Sequence, residues 1–236
     1  MRILITRPRE DATALARTLE ERRHEPLIEP LLTIERIPVR LDLTGVQALV
    51  LTSANAAFAL EGVPMGTPIF AVGARTAAAA RRAGHERVRV ADGDAESLAE
   101  LIACRCHPAD GTLLHVCGTE VKAGLADALA DAKFELRREV AYRAVAARTL
   151  STELQSALRA RRIDAVMLFS PRTAGIFVDL MSAHDLGTHL DRTEALCLSA
   201  AVAEPCRALS WRAVRIAARP SRSALLDLLD GGGVRC

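Results

Sequence analysis

The sequence predicts an α/β protein built from two copies of one parallel-sheet unit, and three observations carry that expectation. Short apolar runs alternate with Ala- and Leu-rich helical patterns along the chain, the pattern of parallel strands covered by helices on both faces. Segments near the two ends resemble segments of the middle. Two extended stretches, Leu27–Pro38 and Glu139–Ala147, lie where one copy would give way to the other.

Taken in order, Ile3–Ile5 reads as a strand that begins almost at once. The helix after it covers Asp11–Arg22, with Ala12, Leu15, Ala16 and Leu19 on one face. Pro26, Pro30 and Pro38 give the Leu27–Pro38 stretch an edge or linking character, since proline cannot donate to a central ladder. Ala48–Leu51 is a strand with a helix over Asn55–Leu60; Ile69–Val72 is a strand with a helix over Thr76–Arg82, stopped by Gly84. Val88–Ala91 and Ala95–Ala103, then Leu113–Val116 and Val121–Ala130, continue the alternation. Phe134–Tyr142 is extended, and Ser151 caps a helix over Ser151–Ala160 by offering its hydroxyl oxygen to the first-turn amides. Ile163–Phe169 and Thr173–Met181, Ala195–Ser199 and Ala200–Leu209, and Val214–Ala217 and Ser221–Leu229 complete the series. The Gly231-Gly232-Gly233 tail reads as a frayed end.

The repeat is legible residue by residue. Gln47–Phe58 resembles Asp164–Gly175, which sets Ser53 against Ser170, 117 positions apart. Val88–Ala91 resembles Val214–Ala217 at a spacing of 126, and Arg2–Leu4 resembles Thr112–Leu114 at a spacing of 110. One copy therefore runs through the middle of the chain, and the other is split around it. The expected division is residues 1–35 with 147–236 as one lobe and 36–146 as an inserted lobe. Two crossings would make a two-stranded hinge, and closure about it would grip a ligand in a cleft between the lobes.

Composition narrows the chemistry. Of 236 residues, 50% are hydrophobic, enough for a sizeable core, and only 3% are aromatic, too few for base-stacking surfaces. The formal net charge of +2 is too balanced for a protein that tracks phosphates, so no nucleic-acid partner is expected. No apolar run is long enough to span a membrane, and the start lacks the apolar stretch of a secretory signal. The six Cys then read as reduced thiols of a cytoplasmic protein. Cys104-Arg105-Cys106-His107 has no second ligand pair at zinc-like spacing, so no metal site is expected. Phosphate-binding glycine loops and nucleophile elbows are also missing, and His115, inside a strand, reads as packed rather than catalytic.

The residues just past each strand are more informative. The ends read Thr6-Arg7-Pro8, Thr52-Ser53-Ala54-Asn55, Gly73-Ala74-Arg75-Thr76, Cys117-Gly118-Thr119, Ser170-Pro171-Arg172-Thr173 and Ser199. In open α/β sheets ligands bind outside the carboxyl ends of the strands. Small hydroxyl residues there leave helix amides open to anions, although they also serve as ordinary caps. Arg dominates the basic residues, and a guanidinium fork matches a carboxylate. Tyr142, the only tyrosine, falls in the second crossing, where a phenol could donate a proton to a leaving hydroxide or simply pack.

Together Ile3–Pro8, Leu51–Ala56, Val72–Ala77, His115–Gly118, Val140–Tyr142 and Leu168–Pro171 resemble the uroporphyrinogen-III synthase family, in its order and at its length. The resemblance implies two flavodoxin-like parallel-sheet lobes joined by a two-stranded β linker, and a cytoplasmic monomer working without cofactor. The implied substrate is hydroxymethylbilane, a linear tetrapyrrole rich in carboxylates. The implied lyase reaction removes its hydroxyl, inverts ring D through a spiro intermediate and closes uroporphyrinogen III, in heme biosynthesis. Transient contact with the preceding pathway enzyme goes with it.

On this alignment Tyr142 is the candidate proton donor. The candidate substrate-binding residues are Thr6, Arg7, Ser53, Asn55, Gly73, Arg75, Thr76, Gly118, Ser170, Arg172 and Ser199. One departure concerns the last turn. Many members carry a Gly-x-Thr-Thr type sequence where this chain has Leu198-Ser199-Ala200-Ala201-Val202. Ser199 is the one hydroxyl left there. The alternative reading is a non-catalytic paralogue or sensor of the same form that binds a carboxylate-rich small molecule.

Overall fold

In a computed structural model, residues 1–121 and 123–231 are described, with the backbone of Val234–Arg235. Lys122, Gly232, Gly233 and Cys236 lie outside the described residues, and with them most of the expected frayed tail. The chain runs β1 (Arg2–Ile5), α1 (Arg9–Glu21), β2 (Glu25–Ile28), β3 (Leu32–Arg36), β4 (Val46–Leu51), a 3₁₀ segment (Ala54–Leu60), β5 (Ile69–Ala71), α2 (Ala74–Arg82), β6 (Val88–Val90) and α3 (Ala95–Ala103). It continues through β7 (Thr112–Gly118), α4 (Leu125–Asp131), β8 (Leu136–Ala146), α5 (Thr152–Arg159), β9 (Ala165–Leu168) and α6 (Pro171–Ala183). It ends with β10 (Glu194–Cys197), α7 (Ala200–Ala203), β11 (Ala213–Ile216), α8 (Arg222–Asp227) and β12 (Val234–Arg235).

The elements divide into two compact units, Met1–Thr33 with Val145–Cys236, and Ile34–Ala144. The first unit's sheet has the order β12-β11-β10-β9-β1-β2, and the second's β3-β8-β7-β4-β5-β6. In the first, β2, β1, β9, β10 and β11 are parallel, and β12 adds an antiparallel edge. In the second, β8, β7, β4, β5 and β6 are parallel. The chain passes between the units within β3 and within β8, which are neighbours in the sheet order.

The sequence repeat maps onto these sheets strand for strand. β1 and β7, β9 and β4, and β11 and β6 occupy equivalent places in the two orders. Counted along the chain, the first unit's parallel strands have the 2-1-3-4-5 order of flavodoxin-like sheets. The second unit has the same spatial order, but its chain enters at the third strand and supplies the first and second last. It is a circular permutation of the first, which is why the resembling segments are not collinear.

Each sheet is covered on both faces, so its strands are apolar on both sides. In the first unit Leu4, Val166 and Leu168 pack with Leu154 of α5 and Phe177 and Met181 of α6. On the other face Ile3, Ile5 and Met167 pack with Leu15 and Leu19 of α1 and Leu225 of α8. In the second unit Leu49, Leu51, Leu114 and Val116 meet Ala77 and Ala80 of α2. Ala48, Val50 and Leu113 meet Leu98 and Ile102 of α3 and Leu129 of α4.

Several expected elements are redrawn. Leu27–Pro38 is not one linking stretch: Leu27 and Ile28 belong to β2, an edge strand parallel to β1, where Pro26 is tolerated. The expected Phe134–Tyr142 and Glu139–Ala147 segments are one strand, β8. The helix expected over Ala200–Leu209 breaks after Ala203, because Pro205 lacks the N–H needed to continue it and opens a 3₁₀ turn instead. The helix expected from Val121 starts at Leu125, after Gly124 at φ 104°.

Four helices end on a non-glycine residue in the left-handed region, Arg23, Lys133, Arg161 and Asp185. Each closes a two-bond cap; after α4, Lys133 N donates to Ala130 O at 2.9 Å and Phe134 N to Leu129 O at 2.9 Å. A side chain is strained in that conformation and glycine is not. Lys133→Gly is therefore expected to stabilise the protein by about 0.5–1 kcal/mol, seen as a higher urea midpoint at unchanged slope. A lower midpoint would refute it.

Candidate functional site

The candidate residues gather at the carboxyl ends of the parallel strands, around the point in each sheet where the strand order reverses. In the first unit that point lies between β1 and β9; in the second, between β7 and β4. Each unit holds its own set.

In the first unit Thr6 follows β1 and is fully buried, and its hydroxyl donates to Met167 O at 2.9 Å. This ties β1 to β9, so the Thr6 hydroxyl is occupied within the fold. Arg7 is half-buried, pairs with Asp11 at 2.7 Å and lies 4.7 Å from the centre of the Phe169 ring. Its guanidinium is thus braced by α1 and by the end of β9. Ser170 caps α6, accepting from Thr173 N at 3.1 Å, with the two hydroxyls 2.8 Å apart. Arg172 is exposed in the first turn of α6. Ser199 stands before α7, half-buried, and its side chain caps nothing. It is the hydroxyl of this group left available to a ligand.

In the second unit Ser53 accepts from Asn55 N at 3.2 Å and opens the 3₁₀ segment, and both residues are half-buried. Gly73 precedes α2 in extended backbone, where the nearest atom to an added Cβ is Gly93 Cα at 3.6 Å. Sterics there do not demand glycine, but its lack of a side chain leaves the first amides of α2 uncovered. Arg75 is exposed beside them, and Thr76 is buried.

Tyr142 is placed most distinctively. It is half-buried on β8 opposite Gly118, the last residue of β7. A Cβ on Gly118 would sit 2.6 Å from Tyr142 Cε2, so the phenol ring lies directly over the glycine. Thr119 N donates to Tyr142 O at 3.0 Å. The Tyr142 hydroxyl has no hydrogen-bond partner among the described residues, which leaves its proton for a ligand.

Other residues outside the candidate set lie near these ends. Thr52 Oγ1 and His115 Nε2 are 2.9 Å apart, linking β4 to β7 beneath Ser53. His115 is buried, and burial first, then the Arg138 guanidinium, lowers its pKa to about 4. Burial also raises the Cys117 thiol above its ordinary range, against the opposing effect of Arg138. A cavity of about 150 Å³ lies beside His115 and Arg138, next to Gly124 and Asp127. Arg36, exposed at the end of β3, lies 4.8 Å from the centre of the Phe58 ring. Thr52 already stands among the strand ends read from the sequence, and Arg36 could have been found from its position at the end of β3. The lowered pKa of His115 could not, because it depends first on burial and then on Arg138 of a neighbouring strand, both set by tertiary packing.

A larger cavity, about 880 Å³, is lined by Arg2, Arg23, His24, Glu25, Arg162 and Asp164. It lies at the amino ends of β1 and β9, away from every candidate residue. No group of three or more His, Cys, Asp or Glu among the described residues could hold a metal, and the described Cys residues are free thiols.

The family model described as uroporphyrinogen-III synthase HemD matches residues 13–227. No curated protein sequence matches the chain. Among solved structures, uroporphyrinogen-III synthetase from Helicobacter pylori is similar over 98% of this chain and 99% of that one, at 19% identity and a TM-score of 0.64. A mutant uroporphyrinogen III synthase from Thermus thermophilus is similar over 98% of this chain and 96% of that one, at 20% identity and a TM-score of 0.52. At such identities the structures establish a shared fold.

Proposed function

The chain belongs to the uroporphyrinogen-III synthase family, and from that premise we propose that it is the lyase that closes hydroxymethylbilane into uroporphyrinogen III, with Tyr142 as proton donor. The family match across residues 13–227 carries the reaction. The unpartnered phenol over Gly118, at the carboxyl end of β7, supports the role of Tyr142.

The first step breaks the C–O bond of the hydroxymethyl group. The leaving hydroxide takes the phenol proton and departs as water, while the pyrrole nitrogen supplies the electron pair that makes an azafulvene. Ring D then inverts through a spiro intermediate, and the macrocycle closes. No strong nucleophile is needed for these steps. What the site must do is hold the carboxylates, shape the chain for inversion and keep water from the cation-like intermediate.

For the carboxylates we assign the uncovered amides of α2 behind Gly73, the Ser53, Asn55, Ser170 and Ser199 positions, and Arg7, Arg75 and Arg172. Thr6, being buried and bonded to Met167 O, acts by holding the ends of β1 and β9 together, and Thr76 is buried in the first turn of α2. Residues 36–146 are taken as the inserted lobe and 1–35 with 147–236 as the receiving lobe, with binding residues on both and β3 and β8 as the connection. No helix among the described residues is long and apolar enough to cross a membrane. A cytoplasmic monomer, in transient contact with the enzyme that delivers its substrate, accords with the family.

The test supplies hydroxymethylbilane to the purified protein and separates the uroporphyrin isomers after oxidation. Isomer III is the expected product. Isomer I alone, the product of spontaneous closure, would overturn the assignment.

A further inference from the structure

We propose that Gly118 is a positioning residue for Tyr142, and that an irregularity in the β7–β8 pairing aims the phenol ring. The proposal rests on the reading of Tyr142 as proton donor.

Two independent features support it. The register runs Cys117 opposite Val140, then Gly118 opposite Tyr142, so one extra residue, Ala141, is accommodated in β8. In a regular strand Ala141 and Tyr142 would face opposite sides. Here both pack against the apolar cluster of Leu49, Leu51, Leu114 and Val116. A bulge re-aims a side chain in this way.

The second feature is steric. A Cβ on Gly118 would lie 2.6 Å from Cε2, 2.8 Å from Cζ and 3.2 Å from Cδ2 of Tyr142. No side chain at 118 is compatible with the ring where it stands. The backbone around Tyr142 is held by the Thr119 N to Tyr142 O bond at 3.0 Å. An added methyl would therefore displace the ring rather than the strand. Gly118 was expected to bind substrate; on this reading it acts through the phenol.

Tyr142 is the only tyrosine in the chain. Protein labelled with 3-fluorotyrosine gives one ¹⁹F resonance, assigned without ambiguity. Gly118→Ala is expected to move that resonance and lower kcat about tenfold, with KM within about twofold. The double variant Gly118→Ala/Tyr142→Phe is expected to be no slower than Tyr142→Phe alone, because the methyl acts only through the phenol. An unmoved resonance, or losses that multiply in the double variant, would overturn the proposal. If Gly118→Ala is too unstable to assay, the thermal midpoint decides: in a Tyr142→Ala background the same substitution is expected to cost nothing, and an equal cost there would refute the steric argument. Full activity in Tyr142→Phe would instead remove the proton-donor reading, while a moved resonance would still assign Gly118 the placing of the ring.

Discussion

Replacing Tyr142 with Phe is expected to lower kcat for uroporphyrinogen III formation about 100-fold, the lower end of what a general acid contributes. Phenylalanine keeps the ring over Gly118 and the packing against Leu51 and Val116, so stability and KM are expected to stay near their original values. Only the phenol proton is lost. Activity should not vanish, because the bilane closes by itself once hydroxide leaves. As the enzymatic rate falls toward the spontaneous one, isomer I should rise as a share of product. Wild-type kcat in Tyr142→Phe would take the residue out of the mechanism.

Acid is expected to weaken the fold through His115. Burial beside Arg138 brings its pKa to about 4 in the folded protein, against an ordinary 6.5. Above 6.5 the imidazole is neutral in both states and has no effect on the balance. Between 6.5 and 4 the unfolded chain takes up the proton and the folded chain does not, so stability falls with pH by up to about 3 kcal/mol. Below 4 both states are protonated and the loss levels off. Cys117, whose pKa is raised by burial, stays a thiol in this window. His115→Gln, which can still bond Thr52, is expected to flatten that decline in urea titrations between pH 7 and pH 4. Equal slopes for the two proteins would refute the assignment.

Much of the fold is legible in the sequence because its signals are local. The continuous apolar runs at Ala48–Leu51 and Ala165–Leu168 mark strands buried on two faces, and Ser151, Ser170 and Ser221 mark helix starts that their hydroxyls do cap. The likeness of the segments around Ser53 and Ser170 is enough to expose the duplication. Other features depend on register. β2 looks like a linking segment until its pairing with β1 is seen. Pro205 is visible in the sequence, but the apolar pattern around it continues and hides the break.

The candidate site divides along the same line. Chain order by itself determines which residues stand at strand ends, since an apolar run leading into Ser, Thr or Gly is a local pattern. Tertiary structure alone decides which of them remain available. Thr6 and Ser199 look alike in sequence, yet the first is fully buried and bonded to β9 while the second caps nothing. The placing of Tyr142 over Gly118, 24 positions away, requires β7 and β8 to pair with one extra residue. Burial and register are set by contacts between distant segments, and a phenol's aim or an imidazole's charge follows from them.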